Sequence, residues 1–194
     1  RAVESHGVNV DILEDYINNG IGLLLTCDTG ISAHRAIDFA NQHDLPVIIT
    51  DHHDLPLELP PARAVINPKR LAPDHPLATL PGVGVAYKLA EALYHSVNNN
   101  DAAHNLLDLV ALGIVADLAI LQGDTRYLLQ RGISVLRQTS RRGLQTLAGL
   151  AELDLHNLTE EHIGFTIAPR LNALGRLGDA NSMVEFLTTG NPSR

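Results

Sequence analysis

Ile21-Gly22-Leu23-Leu24-Leu25-Thr26-Cys27-Asp28-Thr29-Gly30 and, one helix later, Pro46-Val47-Ile48-Ile49-Thr50-Asp51-His52-His53 decide how this chain folds. Each is a short apolar run that ends abruptly in polar side chains. Runs of this length bounded by turn residues read as buried strands. Between them, Ser32 to His43 places Ala33, Ala36, Ile37 and Ala40 at helical spacing, with Ser32 as the expected N-cap. Strand, helix and strand within about thirty residues make a βαβ unit, whose crossover is right-handed in nearly all proteins. Such a unit brings Asp28 and Asp51-His52-His53 to the carboxyl edge of a parallel sheet, where ligands of open α/β sheets gather.

Upstream, Val10 to Asn18 carries Ile12, Leu13, Tyr16 and Ile17 three or four apart and predicts a helix, stopped by Asn18-Asn19-Gly20. Downstream, residues 54–81 hold most of the prolines and read as a long loop around one short strand, Ala64-Val65-Ile66. From Gly82 the pattern turns helical, over Val85–Val97, Leu106–Leu121, Arg126–Arg137, Leu144–Leu150, Glu160–Ile167 and Ala180–Thr188. The fold class is therefore α/β. A parallel sheet of βαβ units over about residues 1–80 is followed by a mainly helical part over about 81–194, as a subdomain or as one continuous fold.

Composition narrows the class. Aromatic residues are only 4% and Trp is absent, so the core is built from Leu, Ile, Val and Ala, as suits parallel strands covered by helices. The longest apolar stretches are too short to span a bilayer, and no membrane association is expected. Cys27 is the only cysteine, which excludes an internal disulfide and predicts a reducing, cytoplasmic setting. The formal charge of −8 argues against a generally basic nucleic-acid-binding surface. It leaves room for clustered carboxylates and imidazoles, the donors that divalent metals take.

Three places carry chemistry. Asp51-His52-His53 follows a buried run directly, and a metal-competent trio there needs either a partner or a surface loop. Asp28 precedes Gly30 at the other strand end, placed for a cation or for capping the next helix. Asp117 lies in Leu112-Gly113-Ile114-Val115-Ala116-Asp117-Leu118-Ala119-Ile120-Leu121, otherwise almost without polar side chains, so it meets a cation, an Arg or solvent. Cys27 reads as a small strand-end residue. Gly82 to Lys88 lacks the spacing of an NTP-binding loop.

These segments, in order, resemble the DHH phosphoesterases, and within them the RecJ-like exonucleases. Thr26-Cys27-Asp28-Thr29-Gly30-Ile31-Ser32 is similar to the family's VDCGIS, Ile48 to His53 to its VTDHH, and Ile66-Asn67-Pro68-Lys69 to its INPK. Pro81 to Leu89 resembles GVGVAFKL, Leu109 to Asp117 LVALGTVAD, and Ile167 to Arg176 IAPRLNAAGR.

The resemblance implies a binuclear Mn²⁺ or Mg²⁺ site in a 5′-to-3′ exonuclease for single-stranded DNA, serving repair or recombination. Single-stranded DNA is then the partner, with DNA-repair or replication proteins as further ones. Asp28 would bridge the ions, and His52 and Asp117 would bind one of them. His53 would contact the scissile phosphate, and Asp51 would orient the neighbouring imidazoles. Arg170, Asn172 and Arg176 would bind phosphate oxygens. Backbone at Gly82 and Gly84 would approach a phosphate or, more simply, allow close packing. The family's earliest motif, an aspartate-rich turn, has no counterpart after Arg1, nor have its C-terminal domains. These residues are thus expected to be a partial core that binds metal weakly and cleaves poorly. Two alternatives stay open: a DHH phosphoesterase acting on nanoRNA or cyclic dinucleotides, and a non-catalytic replication scaffold.

Overall fold

The computed structural model describes residues 7–177 and 180–190, with side chains at all of these except 100, 174–177 and 180. Three parallel strands lie in the order β1 (Leu24–Cys27), β2 (Val47–Thr50), β3 (Ala64–Ile66). Leu24 stands opposite Val47 and Cys27 opposite Thr50, while Ile48 faces Ala64. Helix α1 (Val10–Asn18) precedes the sheet, and α2 (His34–Gln42) joins β1 to β2. The helical remainder comprises α3 (Gly82–Ser96), α4 (Asn100–His104), α5 (Leu107–Ala116), α6 (Gly123–Leu136) and α7 (Arg142–Leu150). Helix α8 (Glu160–His162) runs through a π-helical turn (Ile163–Ile167) into α9 (Ala168–Leu177), and α10 (Ala180–Thr188) follows.

The α/β reading holds, with corrections at the ends of elements. The apolar run Ile21–Leu25 is not the strand. Helix α1 closes on left-handed Gly20, with Gly20 N–H donating to Ile17 (2.9 Å) and Ile21 N–H to Tyr16 (3.3 Å). Residues 21–23 are the exit from that cap, and pairing starts only at Leu24, whose N–H reaches the Pro46 carbonyl. Among the described residues β1 is also an edge strand, leaving Leu23 and Leu25 exposed where a doubly buried strand was expected. Ser32 does not cap α2; Ala33 occupies that position without a side-chain cap. Helix α3 begins at Gly82, one turn earlier than the apolar periodicity indicated, behind Pro81.

The expected helix to Leu121 stops at Ala116, which moves Asp117 from a helix interior to the C-cap. Leu118 N–H donates to Val115 (3.2 Å) and Ala119 N–H to Ile114 (3.2 Å), the bond pair of a Schellman ending. Its left-handed position is held by Leu118, at φ 51°. That conformation costs a non-glycine residue about 1–2 kcal/mol.

Two groups of buried side chains fill the molecule. Val47 and Ile49 of β2 pack with Leu13, Ala36, Ile37, Ala40 and Leu45. A larger one surrounds α5, with Val85, Leu128, Leu136, Leu144, Leu158 and Ile163 among its members. Helix α3 touches β1 and β2 as well as α5, so it joins the sheet to the helical part. Within the second core sits a carboxylate that the sequence reading passed over. Asp108, 2% exposed, accepts from Thr139 Oγ1 (2.7 Å), Arg141 Nε (2.8 Å) and the Leu109 N–H (2.8 Å). Arg141 also donates to the carbonyls of Leu187 and Asn105, tying the ends of α10 and α4 to this point. No described helix is long and apolar enough to cross a membrane.

Candidate metal centre

The carboxyl ends of β1 and β2 are drawn together by their own polar side chains. Thr50 Oγ1 donates to the Thr26 carbonyl (2.8 Å), and Thr26 Oγ1 to that of Thr29 (2.7 Å). The ladder continues one residue past β1, where Asp28 N–H meets the Thr50 carbonyl (2.9 Å). Asp28 itself is left-handed, φ 61°. An outlier of this kind at a sheet edge is a common mark of a functional position.

Asp51 is the anchor. It is 1% exposed. Its carboxylate accepts from Ile31 N–H (2.9 Å), His52 N–H (2.8 Å), His53 N–H (3.2 Å) and His53 Nδ1 (2.7 Å). Burial pushes this carboxyl up, but the bonds from Ile31, His53 and His52 outweigh it and hold the group below the usual carboxylate range. Asp51 grips the ring of His53, and touches His52 only through the backbone. The bond to Asp51 in turn lifts His53 above the ordinary imidazole value, against the opposing effect of burial.

His52 turns the other way. Its Nε2 lies 2.9 Å from Asp28 Oδ1 and 3.8 Å from Asp117 Oδ2, so residues from β1, β2 and the end of α5 meet at one point. Donor atoms of Asp28, His52 and His53 all fall within 4.8 Å of one another. Among the described residues no Lys or Arg pairs with Asp28. Partial desolvation raises its carboxyl; His52 lowers it, and Asp117 raises it again, for a net shift upward. Although 58% of that side chain is accessible, one side of it is pressed against the start of α3. A Cβ at Gly82 would stand 2.3 Å from Asp28 Oδ1. Gly82 is therefore glycine so that a helix N-terminus, with its positive end, can reach this carboxylate.

The donor set fits hard divalent cations such as Mn²⁺ and Mg²⁺: carboxylates with imidazole, converging and lacking a Lys or Arg counter-charge among the described residues. The remaining sequence candidates lie elsewhere. The missing side chain of Gly84 faces Leu80, a packing role. Arg170, on α9, donates to the Thr166 carbonyl one turn back (2.8 Å), and Asn172 is exposed on the same helix. The side chain of Arg176 lies outside the described residues. Helix α9 does pack on α5, the helix that delivers Asp117.

Asn67 was underrated in the sequence. Buried at 5% exposure, it donates to the His53 carbonyl (3.0 Å) and accepts from Lys69 N–H (2.9 Å). It thus clamps the backbone just after the metal-competent trio. An Asn directly before Pro, at the end of an apolar strand, is the signal that could have found it.

Comparison with known proteins matches this chain to a family. The profile of the DHH family, N-terminal domain, fits residues 3–114. The chain belongs to the DHH family. A single-stranded-DNA-specific exonuclease RecJ of Bacillus subtilis is 41% identical over 96% of this chain and 23% of its own length. A crystal structure of exonuclease RecJ bound to manganese superposes with a TM-score of 0.87 at 31% identity, over 100% of this chain and 48% of that one. The RecJ of Thermus thermophilus in complex with Mn²⁺ gives 0.83 at 31% identity, over 95% and 27%. The chain spans 23% to 35% of the length of the first curated DHH relatives.

Proposed function

We propose that this chain is the metal-binding part of a phosphodiesterase that removes nucleotides from the 5′ end of single-stranded DNA, in repair or recombination. The observation that carries it is the meeting of Asp28, His52 and Asp117 at one sheet edge, in a chain similar throughout to manganese-bound RecJ structures. Asp28, His52 and Asp117 would hold the cations. Bound there, two divalent ions supply an activated water and neutralise charge on the attacked phosphate. His53, its Nδ1 fixed by Asp51, presents its other ring nitrogen to a phosphate oxygen. Arg170 and Asn172 contribute further phosphate contacts from α9, and Arg176 is added to them on the family resemblance alone.

Four described side chains converge on this point, Asp28, His52, His53 and Asp117. That is sparse for two ions that favour about six ligands each. On their own, the 194 residues therefore hold metal loosely and hydrolyse slowly. DNA is reached in the cytoplasm, where the single exposed Cys27 stays reduced.

The test is a substrate panel on the full-length natural protein with Mn²⁺: 5′-labelled single strands, the matching duplex, short RNA and a cyclic dinucleotide. Release of mononucleotides from the 5′ end of single strands, abolished by chelator, is the expected result. Preferential hydrolysis of the cyclic dinucleotide, or none of any substrate with metal bound, contradicts it.

A further inference from the structure

Strand β3 supplies none of the candidate metal ligands, yet its end runs alongside the histidine turn and holds it. The Ile66 carbonyl accepts from Asp51 N–H (3.0 Å), Asn67 Nδ2 donates to the His53 carbonyl (3.0 Å), and Lys69 pairs with Asp54. The two histidines within that turn are held in different ways. The ring of His52 is 21% exposed and is caught by the side chains of Asp28 and Asp117. The ring of His53 is 60% exposed, so its place depends on how its own backbone is fixed. Its Nδ1 and its N–H both go to one oxygen, Asp51 Oδ1 (2.7 and 3.2 Å). Two bonds to a single atom leave a pivot. The bond from Asn67, on the opposite side of the residue, removes it.

Asn67 is built for this task. At 5% exposure its amide is paired at both ends, because Oδ1 accepts from Lys69 N–H (2.9 Å) and so caps the 3₁₀ turn Pro68–Arg70. Serine, threonine or aspartate would cap that turn as well. Among side chains of this length, only asparagine adds an amide donor to the acceptor. Pro68 keeps the residue before it extended, and Asn67 stands at φ −148°, ψ 126°.

Resting on the phosphodiesterase reading, in which His53 meets a phosphate oxygen, we infer that Asn67 is a positioning residue that aims the His53 ring. Asp28, His52 and Asp117 are brought together by side-chain contacts from β1, β2 and the end of α5, which do not involve Asn67. The two tasks of the centre are therefore separable. Loss of the Asn67 donor slows turnover and leaves the hold on metal intact.

The experiment uses the full-length natural protein and two variants, Asn67→Ser and Asn67→Asp. Both keep an oxygen to cap the 3₁₀ turn and both lose the donor; serine does so without adding charge. In EDTA, hydrogen exchange of the segment Asp51–Asp54 is followed by mass spectrometry. Mn²⁺ affinity is measured by calorimetry, and kcat and KM on a single-stranded oligonucleotide with Mn²⁺. Both variants are expected to exchange faster in this segment, with Mn²⁺ affinity and KM unchanged. Their kcat should fall about ten- to hundredfold, as for a reacting group displaced by up to about 1 Å. Exchange and kcat equal to the wild type overturn the positioning role and leave Asn67 a turn cap. A fall in Mn²⁺ affinity that matches the fall in kcat overturns it too, as does a collapse of the melting temperature in both variants. A wild type that binds Mn²⁺ yet cleaves nothing sinks the phosphodiesterase reading, and the inference with it.

Discussion

Around Asp108, three donors from the chain close on a buried carboxylate, and Arg141 supplies the opposite charge at 2.8 Å. Around Asp28, the described residues supply a histidine ring at 2.9 Å, two further carboxylates in electrostatic range, and no Lys or Arg ion pair. Both are aspartates set in apolar sequence. One is neutralised from within and locks α4, α7 and α10 together. The other is left with excess negative charge at an accessible edge. A fold that satisfies one carboxylate so completely has no general difficulty in doing so, a contrast that supports the proposal of a cation site at the second.

The largest effect expected from this contrast is on stability. Asp108→Ala leaves Arg141 without its counter-charge in a largely buried place, and should cost about 3–5 kcal/mol. Chemical denaturation reads this out, and a loss under about 1 kcal/mol, the scale of a surface pair, would remove the distinction between the two centres. Asp28→Asn should behave in the opposite way. Without metal its melting temperature is unchanged or higher, since a crowded charge has gone. The stabilisation by saturating Mn²⁺, about 2.7 kcal/mol at one hundred times the dissociation constant, should vanish. Thermal melts with and without Mn²⁺ decide it.

Much of the candidate metal centre's layout was legible before the fold was known. Asp28 and His52 follow apolar runs that could hardly be anything but strands, and the β–α–β order dictates a shared edge. The ends of elements were not legible. Leu118 at a helix terminus hides the stop that a glycine would have announced, so the apolar run from Leu106 to Leu121 looked continuous. Ile21 and Leu23 likewise extended the appearance of β1 into a helix exit. Asp108 escaped notice because its partners, Thr139 and Arg141, lie more than thirty residues away and no local pattern links them. Gly82 was flagged as a backbone position, but its tightest neighbour, Asp28, is visible only in three dimensions.

A smaller effect sharpens the part played by Asp51. Its carboxyl is held below the usual range in the folded chain, so the stability it contributes is present above the ordinary value of 3.8 and is lost as pH falls through the lower folded value. Asp51→Asn should cost about 1–3 kcal/mol at neutral pH, as N–H donors lose a charged acceptor. It should also flatten the acid side of the stability profile. Melting temperatures from about pH 3 to 7 in EDTA, the range over which carboxylates titrate, check it. Parallel curves for the two proteins would show that Asp51 contributes nothing through its charge.

Anomalous diffraction at the manganese edge, from crystals of the full-length natural protein equilibrated with Mn²⁺, tests the centre directly. Density peaks bounded by Asp28, His52 and Asp117 are the predicted result. Manganese bound only elsewhere, with His52 still hydrogen-bonded to Asp28, would contradict it.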